Sequence, residues 1–127
     1  MAEKTFATAI NCMDGRVQLP VIHWMQERYG TEYIDMITEA GPTKFLLEGS
    51  EDQLDAVKTK IGISVDKHGS GVVAVVGHYN CAGNPVDRDV KAGQIKESVE
   101  LVKSWGFNVD AIGLYVNDQW EVEVITE

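Results

Sequence analysis

Basic residues are scarce in this sequence: eleven lysines and arginines stand against twenty aspartates and glutamates, for a net charge of -9. No basic stripe relieves the imbalance. Because phosphate binding needs clustered Lys and Arg, nucleic acid and anionic membrane surfaces are excluded as partners. No apolar run reaches the roughly 18 residues a membrane span requires, and the start of the chain has neither the charged nor the apolar region of a secretion signal, so a cytoplasmic protein is expected. Cysteine is equally sparse. Cys12 and Cys81 are the only two, and in a reducing compartment such a pair reads as ligands, redox groups or buried thiols rather than a structural disulfide. Repeats, linkers and low-complexity segments are absent too. With 127 residues, 44% of them apolar and 24% charged, the chain is expected to form one domain over residues 1–127.

What the sequence does have is a run that organises the rest, Gly71-Val72-Val73-Ala74-Val75-Val76-Gly77-His78-Tyr79-Asn80-Cys81. Five apolar residues between glycines, four of them β-branched, read as a strand buried on both faces, and such strands belong to parallel sheets covered by helices. His78 and Cys81 follow at once. Ligands gather beyond the carboxyl ends of strands in open parallel sheets, so the pair is well placed for chemistry. An earlier short run, Thr5-Phe6-Ala7-Thr8-Ala9-Ile10, leads into Asn11-Cys12-Met13-Asp14-Gly15-Arg16 and brings the other cysteine to a second strand exit.

The remaining elements follow from periodicity. Residues 17–29 read as a helix with Val21, Ile22, Met25 and Tyr29 on its apolar side, Pro20 in its first turn and Gly30 as its stop. A strand over 32–38 ends at Gly41-Pro42, and residues 39–49 read as a loop. Ser50-Glu51-Asp52-Gln53 is a capping box opening a helix to about Lys67, with Leu54, Val57, Ile61 and Val65 at helical spacing. After the central strand at 72–77 come a turn at 82–85, a helix over 89–105 carrying Ile95, Val99 and Val102, a strand over 111–116, and an alternating edge strand over 120–125. This order predicts a three-layer α/β domain, its mostly parallel sheet of about four strands joined by an antiparallel edge strand.

Cys12, His78 and Cys81 make a metal-ligand set. Zn²⁺ takes thiolates and imidazole in a tetrahedron, and catalytic sites keep one position for water or substrate. Asp14 and Arg16, two apart, can form a bidentate pair that holds the carboxylate off the metal and aims it at a bound water. Were the pair to open, Asp14 could itself become the fourth ligand. Taken singly, each residue has a plainer reading: buried thiols, a capping histidine, a surface ion pair. A Cys12–Cys81 redox pair would leave His78 idle. His23 and His68 read as solvent-facing, and Trp24, Trp105 and Trp120 as packing residues.

Cys12-Met13-Asp14-Gly15-Arg16 resembles the Cys-x-Asp-x-Arg motif of β-class carbonic anhydrases, and Gly77-His78-Tyr79-Asn80-Cys81 resembles their Gly-His-x-x-Cys motif, in the same order and at similar separation. The resemblance spans residues 5 to about 116. It implies the β-carbonic-anhydrase fold, Zn²⁺ held by Cys12, His78 and Cys81, a catalytic Asp14 and Arg16 dyad, reversible hydration of CO₂ to bicarbonate by zinc-bound hydroxide, and a homodimer. Departures from the pattern are Gly15, where serine or alanine is common, Thr38-Glu39-Ala40-Gly41-Pro42 in place of an Arg-Asn-Ala-Gly-Asn segment, and a first strand close to the start, where relatives carry N-terminal helices. Two alternatives stand beside this reading: a hydrolase of carbonyl sulfide or carbon disulfide using the same ligands, and a non-catalytic zinc protein whose fourth position Asp14 closes.

Overall fold

The computed structural model describes residues 5–127. Five strands form one sheet in the order β2-β1-β3-β4-β5, built from β1 (Phe6–Cys12), β2 (Tyr33–Glu39), β3 (Val72–His78), β4 (Asp110–Val116) and β5 (Val122–Thr126). The first four pair in parallel and β5 adds antiparallel to β4, which is the mostly parallel sheet with an antiparallel edge that the element order predicts. All seven residues of β3 are buried, as its unbroken apolar run requires of a strand covered on both faces.

Alternating side chains divide the core in two. Ala7, Ala9, Val72, Ala74, Val76, Ile112 and Leu114 pack on Val21 and Met25 of α1 (Gln18–Tyr29). The opposite face of the sheet meets Leu46 of α2 (Pro42–Glu48), Val57 and Ile61 of α3 (Glu51–Asp66), and Ile95, Val99 and Val102 of α4 (Arg88–Ser104). A helix on one face and three on the other make the expected three layers. The capping box at Ser50 and Gln53 is present, and Gly30, at φ 66°, ends α1.

Three expectations need correction. Residues 39–49 are not a loop throughout: Gly41, at φ 67°, turns the chain and Pro42 then starts α2. Proline at the first helical position loses no hydrogen bond, so a Gly-Pro pair that ends a strand can also open a helix. Trp120 lies outside β5, in the turn before it. His68 is also more than a solvent-facing residue, since its Nδ1 bonds Asp35 Oδ2 at 2.7 Å and its ring stacks on Phe6.

The strand order sets the place of the site. The connections leaving β1 and β3 run to opposite sides of the β1/β3 boundary, from β1 toward β2 and from β3 toward β4, and at such a switch point they part and open a crevice. The β1–β3 pairing extends only to Ile10 and Val75. Cys12 and His78, each the last residue of its strand, stand where that ladder has ended.

Candidate metal centre

Cys12, His78 and Cys81 converge at this crevice, all buried, with their donor atoms within 4.8 Å of one another. The two sulfurs are 3.9 Å apart. Two sulfurs each ~2.3 Å from one ion at the tetrahedral angle would be about 3.8 Å apart, so the spacing suits a single zinc. His78 is fixed by its own chain: Nδ1 donates to the Tyr79 carbonyl at 2.7 Å. A carbonyl only accepts, so Nδ1 carries the proton and Nε2 presents a lone pair. That Nε2 is buried and has no hydrogen-bond partner. Thiol chemistry is polarised as well. The Cys81 thiol donates to Cys12 and the Gly41 and Asp14 N–H groups add to the pull, which outweighs burial and holds Cys12 well below the usual thiol range. Donating that proton to Cys12 pushes Cys81 up, and burial adds to the effect. A cation would replace the shared proton and satisfy all three donors together.

Asp14 stands beside this group and not within it. Its Oδ2 accepts from Arg16 Nη2 at 2.7 Å, and its Oδ1 accepts from Arg16 Nε at 3.0 Å and from the Arg16 backbone N–H at 2.9 Å. The Arg16 hydrogen bonds hold its carboxyl down at about 2. Arg16 also donates to the Asn80 carbonyl at 3.2 Å and lies over the Trp120 ring at 4.7 Å. The bidentate pair is the arrangement that the two-residue spacing anticipates.

A family model described as "Putative carbonic anhydrase" matches residues 2–126. The chain belongs to this carbonic anhydrase family. Membership places it with lyase-type enzymes at the family level, and its fold is that of β-carbonic anhydrases. One of two β-carbonic anhydrases of the ascomycete Sordaria macrospora, described as tetrameric, superposes with a TM-score of 0.65 at 8% identity, covering 97% of this chain and 81% of that one. The β-carbonic anhydrase CafA of Aspergillus fumigatus gives 0.55 at 13% identity, with 99% and 78% covered. No curated protein sequence matches the chain.

Around the three donors, the chain has a buried polar shell that sequence reasoning missed. Lys91 of α4 is only 1% exposed, its stem packed on Gly77, where a Cβ would come within 2.8 Å of Lys91 Cγ. Its Nζ donates to the Asn84 carbonyl at 2.8 Å, and Asn84 Nδ2 bonds Thr43 Oγ1 and Gln94 Oε1 at 3.1 and 2.6 Å. Burial pushes the Lys91 ammonium down, and its attraction to the negative charge shared by Cys81 and Cys12 partly opposes that shift. A signal existed: Lys91 precedes Ile95 by four residues and so falls on the stripe with Val99 and Val102, where the helical period puts a buried side chain. Gly41 and Gly83 touch through their backbones, a Cβ on Gly83 falling 2.7 Å from the Ala40 carbonyl carbon. That contact seats the 81–84 loop against the turn before α2.

Proposed function

We propose that the protein is a zinc-dependent carbonic anhydrase that interconverts CO₂ and bicarbonate, with Cys12, His78 and Cys81 as the metal ligands and the whole chain, residues 1–127, as one domain. The observation that carries this reading is the buried, unpartnered Nε2 of His78 beside two thiols 3.9 Å apart. An orphaned buried acceptor is unfavourable by about 1–3 kcal/mol, and a divalent cation is the partner that satisfies both sulfurs as well. When bound, zinc lowers the pKa of water toward neutrality and so supplies the nucleophile for an electrophilic carbon.

The chain's own residues supply orientation. Tyr79 holds the imidazole tautomer through its carbonyl. Arg16 keeps Asp14 ionised, and a carboxylate held at about 2 is a weak proton acceptor near neutral pH; Asp14 therefore accepts a hydrogen bond from the attacking water and aims it, rather than storing its proton. The same grip speaks against Asp14 as a permanent fourth ligand. Met13 and Tyr79, both exposed next to the ligand-bearing strand ends, give the approach an apolar rim suited to an uncharged linear substrate. The reading includes a homodimer or larger homo-oligomer, in line with the tetrameric description of the Sordaria relative, and a cytoplasmic location, where both free thiols stay reduced. Among the described residues no helix is long and apolar enough to cross a membrane.

The test is stopped-flow CO₂ hydration on protein of measured zinc content, at about pH 7 and about pH 9, beside Cys81→Ser. Turnover is expected to track zinc, to rise with pH because two thiolates make bound water less acidic than three imidazoles would, and to vanish in the variant. Stoichiometric zinc without hydration at either pH would shift the reading to a sulfur analogue or a closed site; protein that takes up no zinc would refute it.

A further inference from the structure

Among the described residues, two other than glycine have left-handed backbones, Asn80 at φ 58° and Trp120 at φ 60°, and both lie against the Arg16 guanidinium. Non-glycine residues enter this region uncommonly, asparagine more readily than a bulky aromatic, and such outliers cluster at sites whose surroundings over-determine them. In Asn80 the left-handed turn presents the carbonyl that accepts from Arg16 Nη2 at 3.2 Å. Trp120 sits in the β4–β5 turn, where Asn117 Oδ1 accepts from the Gln119 and Glu121 N–H groups and the Asn117 carbonyl accepts from the Trp120 N–H. Glycine would take that φ without strain. What tryptophan adds is its ring, 4.7 Å from Arg16 Cζ and braced edge-on by Tyr79 at 6.3 Å.

The grip on Asp14 needs such support. Arg16 and Asp14 side chains are 45% and 20% exposed, and exposed ion pairs are weakly held because solvent screens them and two flexible side chains must be ordered. An indole face attracts a guanidinium and confines its plane. We propose that Trp120 is a positioning residue: stacked on Arg16, it keeps the guanidinium in its two-pronged hold on Asp14, so the carboxylate stays beside the Cys12, His78 and Cys81 donors and does not swing among them. Its catalytic consequence rests on the proposed function; the lock itself does not.

The experiment compares Trp120→Phe, which keeps an aromatic face, with Trp120→Leu, which keeps apolar bulk, and Trp120→Gly, which suits the left-handed backbone. Nitrogen–proton NMR of the full chain reads the Arg16 Nε–H, and hydration kinetics on zinc-loaded protein read kcat and KM. In the wild type the Arg16 signal is expected to be ring-current shifted and protected from exchange. Leu and Gly lose both features and about tenfold in kcat with KM little changed, while Phe retains protection and stays within about threefold of wild type. An unprotected wild-type Arg16, a Leu or Gly variant equal to wild type, or a Phe variant as impaired as Leu would each overturn the proposal. A wild type that hydrates no CO₂ would sink the proposed function, and the Arg16 exchange data would still decide this inference.

Discussion

Gly83→Ala is the sharpest test of how the fold holds the donor group. An added Cβ would lie 2.7 Å from the Ala40 carbonyl carbon, 2.8 Å from the Gly41 nitrogen and 2.9 Å from the Ala40 oxygen. All three are backbone atoms, so no side chain can rotate away. Relief to an ordinary contact of ~3.5 Å requires the two loops to part by about 0.8 Å. Overpacking of this kind costs about 1–3 kcal/mol, which for a chain of this size corresponds to a fall in Tm of roughly 3–12 °C. Metal affinity suffers as well, because the parting loops carry the Gly41 N–H that bonds Cys12 and the Gly83 N–H that bonds Cys81. Loss of such outer contacts weakens metal binding by about 10–100-fold. Calorimetry of the metal-free protein reads the first effect and chelator competition for zinc the second. Gly93→Ala is the control: it is in α4 with nothing within 4 Å of its Cβ position, so better helix propensity should raise stability by about 1 kcal/mol. A Gly83→Ala protein with unchanged Tm and unchanged zinc affinity would refute the reasoning.

Two further outcomes follow from buried and paired charges. Asp14 has a folded-state value near 2 against an ordinary 3.8, so its contribution is fully present above 3.8 and is lost as pH falls toward 2. Asp14→Asn should remove that part of the acid limb, about 1 kcal/mol once screening of a part-exposed pair is allowed for; acid titrations of stability that superpose for the two proteins would contradict this. For Lys91, burial holds the folded value below the ordinary 10.5, so the unfolded chain binds the extra proton in that window and stability rises with pH up to about 10.5. Lys91→Met keeps most of the stem and removes the charge. Its stability relative to wild type should therefore fall as pH is raised toward 10.5, measured by denaturant unfolding at several pH values, and a constant difference would show that the ammonium is fully compensated in the folded state.

The sequence by itself determined the elements whose signals are local: the β3 run, the capping box at Ser50, the stop at Gly30, and the Asp14–Arg16 pair, which needs only two-residue spacing on one turn. It also determined which residue types stand at the two strand exits, since β1 and β3 are legible as strands. What the local pattern missed is non-local. Helix α2 is seven residues long and opens on a Gly-Pro pair, too short for a period to assert itself. The period of α4 places Lys91 on its apolar stripe, but only the packing of α4 on Gly77 brings its amine to the Asn84 carbonyl. Trp120 reads as one more apolar residue in an alternating strand; only the antiparallel return of β5 beside β4 sets its turn over Arg16, which is 104 residues earlier in the chain. The approach of Cys12 to Cys81 is of the same kind. Sixty-nine residues separate them, and no short-range interaction carries one to the other: parallel pairing of β1 with β3 does, by placing two carboxyl ends side by side at the one boundary where the sheet's connections part.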